Sequence, residues 1–94
     1  MALKIVFNKR ADNKLDSTLE YLKSEWSVRA ANEFLEHLYE TLDVLSIFPE
    51  IGTIIDDIKE IRGFLVTKQI KVYYRIKDNK LIVLNFIDTR QKPK

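Results

Sequence analysis

Residues 70–77 alternate one by one between two kinds of side chain, and nothing else in the sequence limits the fold so tightly. Ile70, Val72, Tyr74 and Ile76 share one parity, and Lys71, Tyr73, Arg75 and Lys77 share the other. Strand side chains point to opposite faces with period two. The run therefore reads as a strand with one face for a core and one cationic, aromatic face. Asp78-Asn79-Lys80 follows, and residues 81–88 form a second strand-like run. Asp and Asn tolerate left-handed backbone, which makes the intervening residues a tight hairpin turn. In the second run both parities are apolar: Ile82, Leu84 and Phe86 on one, Leu81, Val83 and Ile87 on the other. That pattern predicts an interior strand buried on both sides.

A hairpin of this kind needs a cover for its apolar face, and the upstream sequence supplies two amphipathic helices. Ala11, Leu15, Leu19, Leu22 and Trp26 recur at intervals of three and four, predicting a helix over residues 9–25 with Asn8 as its N-cap. Ala31, Phe34, Leu35, Leu38, Leu42 and Leu45 mark a second helix over residues 28–47, capped by Ser27. With almost no linker between them, the two form an antiparallel αα-hairpin, with Trp26 as a packing wedge at its corner. Pro49 ends the second helix. Residues 49–53 read as a turn in which Gly52 is free to take a positive φ. Residues 3–7 are a short strand with Leu3, Ile5 and Phe7 alternating. Residues 60–66 are another, in which Gly63 marks a bulge or a close approach. Residues 54–59 stay unassigned. The expected fold is a single α+β domain over residues 1–94 in the order β-α-α-β-β-β. The helical hairpin packs on one face of a small, mainly antiparallel four-stranded sheet. The alternation does not say which strand lies beside the first.

Composition removes several kinds of chemistry. With 46% hydrophobic and 32% charged residues, the chain fits an ordered globule. It has no cysteine, which excludes disulfides, thiolate nucleophiles and Cys-ligated zinc. His37 is the sole histidine and lies off the apolar stripe of its helix, so it reads as a surface residue. Asp56 and Asp57 are adjacent and point apart on any regular element, whereas cation sites need several converging oxygens. No metal and no cofactor is expected. The opening residues are too short an apolar run for a signal peptide, and no run reaches the roughly 20 residues of a membrane span. A cytoplasmic protein that does not engage membranes is expected.

The charge is unevenly spread. Residues 1–58 hold 6 Lys/Arg and 11 Asp/Glu, a net −5; residues 59–94 hold 10 and 3, a net +7. An acidic helical half thus meets a basic sheet half. The basic face suits a polyanion or an acidic protein segment, or serves only as a solvated edge that resists strand aggregation.

Several local strings, taken in order, resemble the RelE/ParE family of type II toxin–antitoxin toxins, the plasmid-stabilisation type. They are Ala11-Asp12-x-x-Leu15, Tyr21-Leu22 with Trp26, Ala31-x-x-Phe34-x-x-x-Leu38, and Phe48-Pro49-Glu50-Ile51-Gly52. Ile61-Arg62, Val72-Tyr73-Tyr74-Arg75-Ile76, and Asp88-Thr89-Arg90 with Pro93 complete the set. The resemblance spans nearly the whole chain. It implies a toxin neutralised by a cognate antitoxin that wraps it, with oligomers formed through the antitoxin.

The family has two activities, and each implies different residues here. A ParE-like toxin inhibits DNA gyrase and needs no hydrolytic group. A RelE-like toxin is a ribosome-dependent mRNA endoribonuclease that needs no metal; the resemblance places Arg62, Lys71, Tyr73 and Arg90 at or near its catalytic positions. Lys68, Arg75 and Lys77 would bind the target or nucleic acid. Gln91-Lys92-Pro93-Lys94 holds no Tyr or His, which departs from the ribonuclease pattern and favours the gyrase reading. A non-toxic nucleic-acid-binding module, or an inactive relative, is the remaining alternative.

Overall fold

The structure, a computed structural model, describes residues 2–89. Strand β1 (Lys4–Phe7) leads into helix α1 (Lys9–Glu25) and helix α2 (Val28–Ile47). A single 3₁₀ turn (Pro49–Ile51) follows, then β2 (Thr53–Asp56), β3 (Ile61–Leu65), β4 (Ile70–Lys77) and β5 (Lys80–Asp88). The strands form one sheet in the order β1-β5-β4-β3-β2. β1 runs parallel to β5 and every other pairing is antiparallel. Both helices pack on one face, as the alternation of the hairpin requires. No helix among the described residues is long and apolar enough to cross a membrane.

The sheet has five strands, where the sequence predicts four. The extra one, Thr53–Asp56, is only four residues long and shows no clean alternation. Its strand character comes from a neighbour: Thr53 pairs with Gly63 and Ile54 with Arg62, and a register shift before Asp56 ends the pairing. Asp56 then closes the loop, its Oδ1 accepting from the Lys59 N–H at 3.0 Å.

Helix boundaries follow their caps. Asn8 Oδ1 accepts from the Ala11 N–H at 2.8 Å, and Ser27 Oγ from the Ala30 N–H at 3.0 Å. Each satisfies a donor that the first helical turn leaves without an intrahelical partner. α2 provides most of the helical core through Ala31, Phe34, Leu38, Leu42 and Leu45, all buried. α1 buries Ala11 fully and packs Leu15, Leu19 and Leu22 against the rim of the same cluster. Trp26 is not the wedge its spacing suggests. It caps the end of α1, where the chain turns away from the sheet, and is 66% exposed.

The sheet side of the core consists of Val72, Tyr74, Leu81, Val83 and Phe86. Phe86 belongs there because β5 is bulged. Tyr73 pairs with Asn85 and Tyr74 with Val83, so Leu84 is an extra residue that reverses the parity of everything after it. Phe86 therefore joins Leu81 and Val83 on the helix side and meets Phe7, the ring centroids 6.1 Å apart. The two apolar parities of this run reflect that reversal; Ile82, Leu84 and Ile87 are only half-buried. At the hairpin tip Asp78 and Asn79 both have positive φ, 53° and 63°. Lys80 already pairs with Lys77, making the loop one residue shorter than expected.

Gly52 has φ −69°, an ordinary extended value, so its positive-φ role is overturned. Its requirement is space. The buried Tyr74 hydroxyl donates to the Pro49 carbonyl at 2.6 Å and accepts from the Gly52 N–H at 3.2 Å. A Cβ on Gly52 would meet that hydroxyl and sit 2.9 Å from the ring carbon that bears it. Since the backbone conformation suits alanine, Gly52→Ala should destabilise by contact alone, by about 1–3 kcal/mol in urea unfolding. Combined with Tyr74→Phe, its effect should be smaller than the sum of the two single effects.

Candidate functional site

Among the described residues no layer lies over the face of the sheet opposite the helices, and cross-strand register decides which side chains share it. Residues paired across antiparallel strands project from the same side. Lys71 lies between Leu65 and Ile87, and Tyr73 between Gly63 and Asn85. Arg75 pairs with Ile82, which pairs with Val6. Lys77 pairs with Lys80, which pairs with Lys4. The result is a surface with apolar patches, one phenol and five cations. Lys71, Tyr73 and Arg75 are half-buried, while Lys4, Lys77 and Lys80 are exposed. Gly63 allows the centre of the face to close up: a Cβ there would sit 3.1 Å from both Ile55 Cγ1 and Lys71 Cδ. Arg75 Nε is buried and has no hydrogen-bond acceptor among the described residues. A buried donor without a partner is uncommon, and it leaves this guanidinium able to take one more acceptor.

The structure thus brings Lys71, Tyr73, Arg75 and Lys77 together, and the register adds Lys4 and Lys80. The local sequence gives no sign of Lys4, because it arrives through the parallel β1–β5 pairing of residues far apart in the chain. Lys68 stands apart. It lies in the β3–β4 connection and borders a hollow on the helix side with His37 and Phe34. Arg90 lies outside the described residues.

Arg62 lies on the other face. It pairs with Tyr74, so its side chain leaves the sheet on the helix side. Its Nη1 donates to the Glu50 carbonyl at 3.1 Å and to the Gly52 carbonyl at 2.8 Å. The 3₁₀ turn ends in carbonyls that have no helical partner, and the guanidinium supplies the donors. Arg62 and Tyr74 therefore grip one turn from neighbouring strands. Burial pushes the Tyr74 phenol above its ordinary range, and the Gly52 N–H and the Arg62 charge partly offset this. Among the described residues no group of three or more His, Cys, Asp or Glu is placed to hold a metal ion.

Comparison with known proteins bears on this arrangement. The model of the ParE toxin of type II toxin–antitoxin systems, parDE, matches residues 5–93. No curated protein sequence gives a significant match. Among solved structures the chain is similar to one of a chromosomal ParDE toxin–antitoxin system from P. aeruginosa. There the TM-score is 0.76 at 11% identity, covering 93% of this chain and 96% of the other. It is also similar to the RelBE2 toxin–antitoxin complex from Mycobacterium tuberculosis (TM-score 0.63, 15% identity, 94% and 99% covered). A third similar structure is a conserved hypothetical protein from Helicobacter pylori (0.61, 19%, 95% and 97%). At these identities the structural likeness speaks for the fold.

Two outcomes follow for the helix-side grip. Arg62→Ala should cost about 1–3 kcal/mol of unfolding free energy, the range for hydrogen bonds from a charged donor. The second concerns pH. The unfolded phenol ionises near pH 10 and the folded one higher, so between these values the native state holds the extra proton. The stability linked to this group is complete below about pH 10 and declines as pH rises through the folded value. Urea midpoints measured from pH 8 to 11 should fall more steeply for the parent chain than for Tyr74→Phe.

Proposed function

The chain belongs to the ParE toxin family of type II toxin–antitoxin systems, and we propose that it disables a protein target of the DNA gyrase class through the helix-free face of its sheet. The observation that carries this reading is the composition of that face. Tyr73 and Arg75 are half-buried beside Ile82, Ile87 and Leu65, and Arg75 Nε lacks an acceptor. Aromatic and Arg anchors set among apolar side chains are what protein interfaces use to concentrate binding energy. Cutting RNA needs a group that accepts or delivers a proton near neutral pH. Among the described residues the strands bring no imidazole to this face, and Asp56, the carboxylate that pairs with Ile61 at its β2 edge, accepts from the Lys59 N–H. Arg62, one of four residues that the ribonuclease reading requires, is committed to carbonyls on the opposite face.

In the cell this face needs a cover, and a cognate antitoxin with acidic and apolar side chains is the partner its charge and shape suit. Oligomers form through that antitoxin. The protein works in the cytoplasm, where gyrase and its antitoxin are found.

A second reading keeps support from one observation: Lys71, Tyr73 and Arg75 do share a face. In a RelE-like ribonuclease acting on mRNA in the ribosome, Lys71 and Arg75 would stabilise the crowded phosphate. Tyr73 would be the proton-transfer group; the reading also calls on Arg90, and on Arg62, which would have to leave its carbonyls on the opposite face.

Expression of the chain alone in a bacterium separates the two. The expected result is growth arrest with relaxed or broken DNA and unchanged mRNA ends. Tyr73→Ala and Arg75→Ala should each weaken target binding by about tenfold or more and relieve the arrest. New mRNA ends that disappear in Tyr73→Phe would establish the ribonuclease instead.

A further inference from the structure

At the end nearest the hairpin tip, the helix-free face carries a row of like charges. Lys4 on β1 pairs with Lys80 on β5, and Lys80 pairs with Lys77 on β4. Partners across a ladder project from one side of the sheet, so three ammonium groups stand side by side on three adjacent strands. Two interstrand spacings separate the outer members, about 10 Å from β1 to β4. All three residues are exposed.

Like charges directly opposite one another destabilise a sheet. The fold nevertheless fixes them there. The Lys4 N–H donates to the Asn79 carbonyl at 3.4 Å, which fastens the start of β1 to the hairpin tip and holds the row in register. No carboxylate offsets the repulsion: one ion pair forms among the described residues, and it joins Arg29 to Glu33 on α2. The row is therefore a cost to the isolated chain that an anion from outside would relieve.

The chemistry of the row narrows the ligand. Lys presents a compact point charge that suits phosphate oxygens, whereas planar, bidentate capture of a carboxylate is the work of Arg. The row also contains no aromatic ring. Tyr73 lies four residues from Lys77 along β4, about 13 Å away. Sites for single strands stack unpaired bases on aromatic side chains set among the cations. A flat row of lysines without a ring matches the backbone of a duplex, where phosphate contacts position a protein without reading sequence.

We propose that Lys4, Lys80 and Lys77 hold the phosphate backbone of duplex DNA. The helix-free face then has two parts. Tyr73 and Arg75 engage the protein target, and the lysine row lies on DNA that the target holds. Release of counterions from the duplex supplies the affinity, and the phosphates offset the repulsion within the row. The proposal rests on the gyrase-class reading only for the source of the DNA; the chain's own contact with a duplex is measured without the enzyme.

The test titrates the full chain into a labelled, mixed-sequence DNA duplex at several salt concentrations and follows fluorescence anisotropy. Lys80→Gln should make the slope of log affinity against log salt shallower by about one, a tenfold smaller gain for each tenfold drop in salt. Lys80→Arg keeps the charge and should keep the parent slope. Lys23→Gln, which removes a cation from α1, should also keep it. The same slope in Lys80→Gln as in the parent overturns the row. An equal loss of slope in Lys23→Gln marks attraction by net charge alone and overturns it too. Single-stranded RNA bound more tightly than the duplex, with the same dependence on Lys80, assigns the row to RNA and overturns the proposal. Growth arrest with damaged DNA but no binding to the duplex overturns the row and leaves the gyrase-class reading intact. Binding to the duplex through Lys80 without growth arrest upholds the row and removes that reading alone.

Discussion

The Tyr74 hydroxyl joins the two layers of this protein. It sits at the centre of the sheet and bonds to both ends of the short turn that follows α2: the Pro49 carbonyl accepts its proton and the Gly52 N–H donates to its oxygen. Arg62 holds the same turn through the Glu50 and Gly52 carbonyls. The turn fixes where α2 stops and where β2 starts, so the position of the helices over the sheet and the pairing of the fifth strand both depend on it. A buried phenol requires partners, because burial without them would cost a few kcal/mol. Here the partners are main-chain groups that the turn cannot satisfy internally. Each side meets the other's need, and Gly52 leaves the room.

This arrangement divides the sheet by face. The helix side of β3 and β4 goes to core packing and to gripping the turn. The other side, which no helix covers among the described residues, retains the cations and Tyr73. The bulge at Leu84 sharpens the division, since it returns Phe86 to the core and leaves Asn85 opposite Tyr73. Arg62 and Arg75 have opposite roles because they leave the sheet on opposite sides. The short β1 adds a third feature: it ends before β5 does, and beyond it the Phe86 N–H donates to Asn85 Oδ1.

Much of the fold could be read from the residues. Both helices begin where Asn8 and Ser27 can accept from the first turn and end at the predicted residues, because capping and 3.6-residue spacing are local signals. The hairpin was equally legible. What escaped detection depends on partners distant in sequence. β2 is a strand because β3 lies beside it, and β1 neighbours β5 only through a crossover of the entire helical layer. The reversal of parity at Phe86 depends on a bulge that apolar residues on both sides of the strand conceal. Gly52 reads as a conformational glycine until the ring packed against it is seen. At the site, Lys71, Tyr73, Arg75 and Lys77 follow from period two, but nothing near Arg62 in the sequence shows that two carbonyls wait on its side of the sheet.

The most direct measurement is hydrogen exchange of the Gly52 amide in the folded protein. If the grip of Tyr74 and Arg62 on the turn joins the layers, this amide should exchange only through global unfolding, with the same opening free energy as core amides such as those of Val72 and Val83. Exchange at the rate of an exposed loop residue such as Lys68 would show that the turn opens independently, and would contradict the account.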